Sequence, residues 1–321
     1  MNKDKITLRS FLKALLIIFI AALFIKAFFF DAFEIPTSSM ENTLLPGDFI
    51  IAGKAAYKIS TPKEIPLLNI RIPYVDLLET GEPGVNDLIV FDFPGNEMLG
   101  SAKYVKRIIA CPGDSLRIVD KELYINNIKI ELPSTLKFTE SSEGSINKKD
   151  NRIFPRGSNW SRNNYGPIVI PKKNDIIKID AGNFEKWKDL ISLDSKDNVI
   201  REEGSVVTLN GWPIKEYMLT KNYYFVIGDN FDKSLDSRYF GFITDDMIVG
   251  KALFIYWSID GNKVAPGPLG FLSALRTNRF LQGVECFYPV SSIANRSCRF
   301  ERQTIYQKVD FNEIIQSFLT I

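Results

Sequence analysis

The apolar residues of this chain fall into one long hydrophobic segment followed by many short ones. The long segment covers residues 11–30 and reads FLKALLIIFIAALFIKAFFF. A helix of that length would span ~30 Å, which is the hydrocarbon thickness of a bilayer. Lys13 and Lys26 lie towards its two ends, where a long side chain can extend its ammonium to the interface. The pattern predicts a transmembrane anchor at residues 11–30.

A cleaved secretory signal is the alternative interpretation of this segment. Such a signal would need a small-x-small cleavage site directly after the apolar run. The residues found there, 27–36, read AFFFDAFEIP and are rich in phenylalanine. The sequence therefore favours an anchor that stays attached.

The charges around the anchor predict its orientation. Four basic residues lie at the amino-terminal side of the anchor: Lys3, Lys5, Arg9 and Lys13. The only acidic residue on that side is Asp4. Basic residues beside a span are typically retained in the cytoplasm. We therefore expect residues 1–10 in the cytoplasm and the chain after about residue 31 outside it.

Beyond the anchor, short β-branched and aromatic runs alternate with turn residues. The clearest runs are DFIIAG (48–53), DLIVFDF (87–93), KYVKRIIA (103–110), SLRIVD (115–120), ELYINNIKI (122–130), VVTLNGWPI (206–214), YYFVIGD (223–229) and ALFIYWS (252–258). Such a pattern is typical of an all-β domain. Asn126-Asn127 and Asn210-Gly211 have the composition of tight hairpin turns. We expect a mainly β domain over residues 31–260.

Two polar stretches interrupt the β pattern. Residues 134–165 are rich in Ser, Asn and Lys, and residues 183–204 resemble a short helix on a charged loop. We interpret residues 115–227 as a variable insertion that carries no catalytic group. Residues 261–321 form a tail of unknown role, in which only an amphipathic helix at 310–319 is suggested.

Composition removes several classes of function. Lys and Arg total 40 against 38 Asp and Glu, and a net charge of +2 gives no basic field for nucleic acid. The chain contains no histidine, which excludes Ser-His-Asp and Cys-His catalysis and the HExxH zinc proteases. The three cysteines lack CxxC spacing, so a zinc ribbon or thioredoxin-like site is excluded. Cys286 and Cys298 could pair in an oxidising compartment, which would leave Cys111 free and buried.

Without histidine, a serine nucleophile needs another amine as its base. A lysine can serve if burial lowers its pKa from ~10.4 towards neutrality. The segment EIPTSSMENTLLPGDFI (34–50) offers Ser39 in a proline-flanked loop close to the anchor, and YVKRIIACPGD (104–114) offers Lys106 inside an apolar strand. An ordinary loop and an edge strand with a protective lysine would give the same spacing.

Four motifs distinguish these interpretations. PTSSMENTL, PGDFIIAGK, YVKRIIACPGD and GDNFDKSLDSRYFG (228–241) follow an amino-terminal anchor in this order. They resemble the motif boxes of the bacterial type I signal peptidases, which are Ser-Lys dyad proteases that remove leader peptides from exported proteins. The resemblance covers about residues 5–260. It implies a signal-peptidase-like β catalytic domain behind one transmembrane helix.

The resemblance implies a role for each matching residue. Ser39 is the expected nucleophile and Lys106 its general base. Thr37 matches the residue whose hydroxyl joins the Ser39 N–H in the oxyanion hole, and Ser234 matches the serine that orients the lysine ammonium. Asp236 and Arg238 match a structural ion pair beneath the site, and Asp229 and Asn230 belong to the same loop. The family has shallow pockets that accept small residues at −1 and −3 of the leader. The residues that resemble the lining of these pockets are Phe33, Ile35, Tyr104 and Val105.

Three positions depart from the family pattern. This chain has Ala110 where the family usually has glycine, Phe231 where it has arginine and Lys233 where it has asparagine. None of them replaces a reacting group, and we expect them to adjust the packing around the loop.

The resemblance also implies partners and a location. The expected partners are the signal peptides of exported pre-proteins and the lipid bilayer, near the protein export translocon. The expected location is the bacterial cytoplasmic (inner) membrane, crossed once. Cleavage after a small residue would proceed through an acyl-enzyme, and no metal or nucleotide is implied.

Other classes remain as alternatives. Self-processing Ser-Lys proteases such as the SOS repressors lack an anchor, and the SxxK pattern of penicillin-binding proteins occurs at Ser10-Lys13 and Ser145-Lys148 without its companion motifs. A membrane-tethered binding or assembly protein on a degenerate protease fold would lack an intact dyad.

Overall fold

The computed structural model describes residues 8–62, 64–65, 70–93, 103–130, 150–195, 197–263, 267 and 270–284. Within these ranges, only α1 (Leu8–Phe28) is long and apolar enough to cross a membrane. Its side chains are almost all exposed, apart from Ala27, which is the expected state of a helix that lipid would surround. The predicted anchor at 11–30 is therefore confirmed as an apolar helix, although Phe30 already belongs to the first strand.

Strands make up most of the remaining described chain. In chain order they are β1 (Phe30–Glu34), β2 (Asp48–Gly53), β3 (Lys58–Ser60), β4 (Glu64–Ile65), β5 (Ile70–Arg71), β6 (Asp76–Glu79), β7 (Leu88–Asp92), β8 (Lys103–Ala110), β9 (Ser115–Val119), β10 (Glu122–Ile125), β11 (Ile128–Lys129), β12 (Tyr165–Val169), β13 (Ile176–Lys178), β14 (Ile200–Glu203), β15 (Val206–Leu209), β16 (Trp212–Ile214), β17 (Glu216–Met218), β18 (Tyr223–Ile227), β19 (Ile243–Thr244), β20 (Ile248–Ser258) and β21 (Gln282–Gly283). Two further helices are α2 (Phe184–Asp194) and α3 (Ser237–Phe240). The mainly β prediction is confirmed.

The central sheet positions the site. Its order is β1-β2-β20-β7-β8-β18-β19, with β21 beside β20, and its neighbours run antiparallel. The motif-bearing segments therefore lie together: β1 and β2 flank the serine loop, β8 carries the lysine, and β18 precedes the last motif. Apolar side chains on β1, β2, β7 and β20 form one core cluster, which also holds Met40 and Leu44 of the serine loop.

Turn chemistry agrees with the sequence. Asn126 and Asn127 both have positive φ, as do Asn210 and Gly211, which is the conformation of a tight primed hairpin turn. At Gly47 (φ +84°) an added Cβ would lie 2.0 Å from the Ile259 carbonyl oxygen. Only glycine therefore allows β20 and its extension to approach the turn before β2.

The insertion forms its own small sheets. β9 to β12 build a four-stranded sheet in the order β11-β10-β9-β12, and β14, β15 and β16 form a three-stranded one. The helix predicted within 183–204 is α2. β18 (Tyr223–Ile227, 5 residues) belongs to the central sheet, so the insertion ends before Tyr223 and the expected boundary at 227 lies 5 residues too late.

Part of the tail packs against the catalytic domain. β21 pairs with β20, Val284 is buried in the cluster beneath the serine loop, and the Phe280 ring stacks on Trp257 at 4.8 Å. Arg279 donates to both carboxylate oxygens of Asp48, at 3.0 and 2.6 Å. Residues 270–284 therefore belong to the same folded unit as residues 31–260. The suggested helix at 310–319 lies outside the described residues.

Cys111 contradicts the sequence interpretation of the cysteines. It is fully buried, as expected, but it is disulfide-bonded and not free. Its partner lies outside the described residues. Spacing alone did not reveal this, since a disulfide depends on which residues the fold brings together.

Candidate active site

The serine loop connects β1 to β2 and is fixed at both ends by apolar residues. Ile35 follows β1 directly and is buried, and a short 3-10 helix, Ser38–Met40, ends on the buried Met40. Between these two residues, Thr37 is exposed and Ser39 is partly exposed. The burial of Ile35 and Met40 thus holds the intervening hydroxyls at the surface.

Lys106 lies in the middle of β8 and only 3% of it is exposed. Its Nζ is 2.6 Å from Ser39 Oγ and 3.0 Å from the Val105 carbonyl oxygen. Burial lowers the pKa of Lys106 to about 8, and the negative charges of Asp236 and Asp229 oppose part of that shift. An ammonium in this position can lose its proton near neutral pH, and its lone pair then lies within reach of the serine hydroxyl.

Thr37 lies beside the dyad. Its Oγ1 is 3.4 Å from Ser39 Oγ, and its side chain is exposed. The hydroxyl is therefore on the open side of Ser39, where a carbonyl would approach. Its role in an oxyanion hole remains a prediction.

Asn230 holds the serine loop from the opposite side. Its backbone N–H donates to the Ser39 carbonyl oxygen at 3.0 Å, and its Nδ2 donates to the Ser38 carbonyl oxygen at 3.1 Å. The same Nδ2 lies 3.2 Å from Glu41 Oε2. The sequence placed Asn230 near the site, and the structure shows that it binds the backbone of the turn that carries Ser39.

Ser234 is close to the dyad but not bonded to it. A Cβ added at Gly228 would lie 2.2 Å from Ser234 Oγ and 2.5 Å from the Ser39 carbonyl oxygen, so both line the space beside that glycine. Ser234 Oγ is buried and has no hydrogen-bond partner in the described part of the chain. The expected hydrogen bond from the Lys106 ammonium to Ser234 Oγ is therefore absent from this arrangement.

Two buried ion pairs support the site. Arg238 and Asp236 are fully buried and form two bonds, at 2.8 and 2.7 Å, which is the pair that the motif implies. Arg107 binds Asp229 in the same two-pronged manner, at 2.8 and 2.6 Å. Arg107, the neighbour of Lys106 on β8, is only 1% exposed, so this ion pair is enclosed by the protein.

The pocket residues divide between two clusters. Ile35 belongs to the core beneath the serine loop, and Phe33 and Val105 pack against it. Tyr104 packs in a different cluster, with its ring stacked on Phe93 at 4.5 Å and 5.5 Å from Lys106 Nζ. The structure thus brings three of the four together and places Tyr104 on the lysine side of β8.

Two of the three departures from the motif pattern are buried, whereas Lys233 is exposed and has no packing role. Phe231 is 1% exposed, and the Arg238 guanidinium lies 3.7 Å from the centre of its ring. Ala110 is fully buried at the end of β8. Phe231 therefore stabilises the buried arginine and does not occupy the space around Ser39.

Comparisons with known proteins give a consistent result. A family model described as "Signal peptidase, peptidase S26" matches residues 8–257. Signal peptidase I of Buchnera aphidicola subsp. Acyrthosiphon pisum is 30% identical over 269 residues, which cover 82% of this chain and 79% of that protein. The protein of the same name from Buchnera aphidicola subsp. Baizongia pistaciae is 34% identical over 260 residues, covering 78% and 76%. A crystal structure of a signal peptidase I from Enterococcus faecalis aligns with a TM-score of 0.29 and 20% identity, covering 53% of this chain and 96% of that one.

Proposed function

This chain belongs to the signal peptidases of peptidase family S26, serine peptidases that remove signal peptides from exported pre-proteins, and we propose that Ser39 is its nucleophile and Lys106 its general base. The observation that carries the proposal is the 2.6 Å contact between Ser39 Oγ and a buried lysine whose pKa falls to about 8. No histidine is available for the same task.

In this mechanism the neutral amine of Lys106 accepts the proton of the Ser39 hydroxyl as Oγ attacks the scissile carbonyl carbon. The Ser39 N–H and the Thr37 hydroxyl donate to the oxyanion that forms. Lys106 then gives its proton to the leaving amine, and an ester on Ser39 remains. Lys106 next deprotonates a water that hydrolyses this ester. The exposed position of Thr37, 3.4 Å from Ser39 Oγ, supports its assignment.

The substrate pocket is formed by side chains from β1 and β8. Phe33 and Val105 are partly buried and offer an apolar surface next to the serine loop, Ile35 is buried beneath them, and Tyr104 offers the adjoining aromatic ring. Lys103 Nζ lies 6.0 Å from the centre of the Phe33 ring, which shows that these two strands lie close together. An apolar and shallow surface would accept small side chains at −1 and −3 of the leader.

The proposed topology places the catalytic domain outside the cytoplasm. α1 would cross the bacterial inner membrane once, with residues 1–10 in the cytoplasm because of their basic residues. A disulfide at Cys111 supports this orientation, since such bonds persist in oxidising compartments. The catalytic domain would then act at the outer face of the bilayer, close to the translocon that delivers its substrates.

Two neighbouring serines allow a matched test of the nucleophile. Ser39→Ala should abolish cleavage of a membrane-bound pre-protein, whereas Ser38→Ala should keep most activity, because only Ser39 Oγ contacts Lys106. Product formation by purified protein in vesicles is the measurement. Retained cleavage by Ser39→Ala would refute the assignment. A binding or assembly protein on the same fold would show no cleavage by the wild type.

A further inference from the structure

The end of the anchor helix contacts Lys54, the residue directly after β2. Lys54 Nζ lies 3.0 Å from the Lys26 carbonyl oxygen and 3.1 Å from that of Ala27. The Lys54 backbone N–H donates to the Phe29 carbonyl oxygen at 2.8 Å. Three hydrogen bonds from Lys54 thus connect the carbonyls at the end of α1, and that of Phe29 just after it, to the catalytic domain.

These bonds satisfy groups that a helix leaves without partners. The last four carbonyls of a helix have no donor within it, and a cation at this end also interacts favourably with the helix dipole. The hydrocarbon of a bilayer supplies no water to such carbonyls, so a donor from the protein helps to satisfy those nearest to it. Lys54 is partly buried, and Asp31 lies 3.6 Å away. Burial lowers the pKa of Lys54, and Asp31 opposes that shift.

Lys54 is itself held firmly by the central sheet. Gly53 pairs with Phe30 on one side and with Lys251 on the other. A Cβ on Gly250 would lie 2.6 Å from the Gly53 carbonyl oxygen and 3.1 Å from Lys54 Cα, so β20 packs directly against this point. The side chain of Lys54 therefore projects from a rigid support.

The same strands lead to the nucleophile. β1 pairs with β2 from Phe30 to Glu34, a length of ~14 Å for an extended strand, and Ser39 follows five residues later. A change in the angle between α1 and β2 would therefore change the height of Ser39 above the bilayer.

We propose that Lys54 is a positioning residue that fixes the angle between the anchor and the catalytic domain. It thereby sets the distance from the bilayer at which Ser39 accepts a scissile bond. The substrates it selects are signal peptides whose cleavage site lies at a matching distance beyond their own apolar segment. This proposal rests on the proposed function, because it requires Ser39 as nucleophile and α1 in the membrane.

The test uses a substrate that offers a choice. Full-length enzyme in vesicles of phosphatidylethanolamine and phosphatidylglycerol receives a pre-protein with two identical cleavage sites at different distances from its apolar segment. The wild type should prefer one site. Lys54→Met should reduce that preference by roughly 2–5-fold, the effect expected of a cation at a helix terminus. The kcat/KM for a soluble peptide without an apolar segment should not change.

Lys58→Met is the matched control, because Lys58 pairs with Asp76 on β6, away from the anchor. It should keep the wild-type preference, and so should Lys54→Arg, whose guanidinium can still donate to the carbonyls. Lys54→Gln removes the charge with less effect on folding and serves if the Met variant does not fold.

An unchanged site preference in Lys54→Met or Lys54→Gln would overturn the proposal. An equal loss on the soluble peptide would also overturn it, since the effect would then be one of general structure. A wild type that cleaves neither substrate would instead refute the proposed function.

Discussion

Two buried cations stand next to each other on β8, and their surroundings are opposite. Arg107 binds the Asp229 carboxylate through two N–H groups. Lys106, equally buried, contacts only the Ser39 hydroxyl and the Val105 carbonyl within hydrogen-bond distance, among the described residues. Arg238 resembles Arg107, since it is paired with Asp236. Among the described residues, the site thus contains two buried arginines that each bind a carboxylate and one buried lysine that does not.

This difference shows that a buried cation can have either of two roles: a paired one stabilises the fold, and an unpaired one can take part in proton transfer. An arginine keeps its proton in proteins, so a buried arginine requires a carboxylate. A lysine without one can become neutral, and burial then lowers its pKa towards working pH. The absence of a bonded carboxylate at Lys106, among the described residues, is therefore what would permit the lysine to act as the proposed base.

The largest expected effect comes from breaking a paired cation. Asp236→Ala would leave the fully buried Arg238 without its carboxylate, and we expect a loss of about 3–5 kcal/mol in the free energy of unfolding, measured by urea denaturation. Glu122→Ala is the control, because it breaks the exposed pair with Lys129, which water screens. Equal effects in the two variants would contradict the role of burial.

Removal of the unpaired cation should have the opposite sign. At neutral pH, Lys106→Met should raise the free energy of unfolding by up to about 3 kcal/mol. This is the cost of keeping the buried lysine charged, as given by a pKa lowered from 10.5 to about 8. Because the folded-state pKa is the lower one, wild-type stability should rise with pH between about 8 and 10.5, and the advantage of Lys106→Met should shrink over the same interval. A destabilised Lys106→Met at neutral pH would show that the ammonium is well accommodated.

Ser234 tests whether the unpaired lysine needs an orienting group. Its hydroxyl makes no hydrogen bond within the described residues, so Ser234→Ala should leave the free energy of unfolding unchanged or slightly higher. We expect kcat to fall by ~10²-fold if this hydroxyl positions Lys106 during turnover. Ser158→Ala removes another buried hydroxyl without a partner and should change neither quantity. A wild-type kcat in Ser234→Ala would exclude the positioning role.

The smallest effect extends the comparison to the tail. Arg279 pairs with the fully buried Asp48 and also donates to the Thr43 carbonyl oxygen of the serine loop. Arg279→Ala should therefore destabilise the protein by about 2 kcal/mol, whereas Arg201→Ala, on the exposed face of β14, should not. Thermal or urea unfolding measures both. Truncation after residue 262 should destabilise the protein further, because it removes Arg279, β21 and the buried Val284 together.

The proposed dyad could be predicted from the sequence because four short motifs, in order behind an anchor, resemble those of a known family. Local spacing alone left an ordinary loop and an edge strand as alternatives, and strand alternation separates the faces of Lys106 and Arg107. The lack of histidine restricted the base to another amine. These arguments need no knowledge of distant contacts.

The remaining features depend on contacts between residues far apart in the chain. Arg107 and Asp229 are separated by 122 positions, and Arg279 and Asp48 by 231. Neither pairing leaves a periodic pattern in the sequence. The Cys111 disulfide and the unbonded Ser234 hydroxyl likewise follow from packing, which composition and spacing do not determine.

The pH dependence of cleavage by the wild type and by Lys106→Arg tests the central claim most directly. The amine form of Lys106 becomes populated as pH rises, so wild-type kcat/KM should increase about tenfold per pH unit at low pH and level off near a pH of about 8. Lys106→Arg keeps the charge but cannot lose its proton, so it should be inactive at every pH. Substantial cleavage by Lys106→Arg would contradict the account, because lysine would then not be the base.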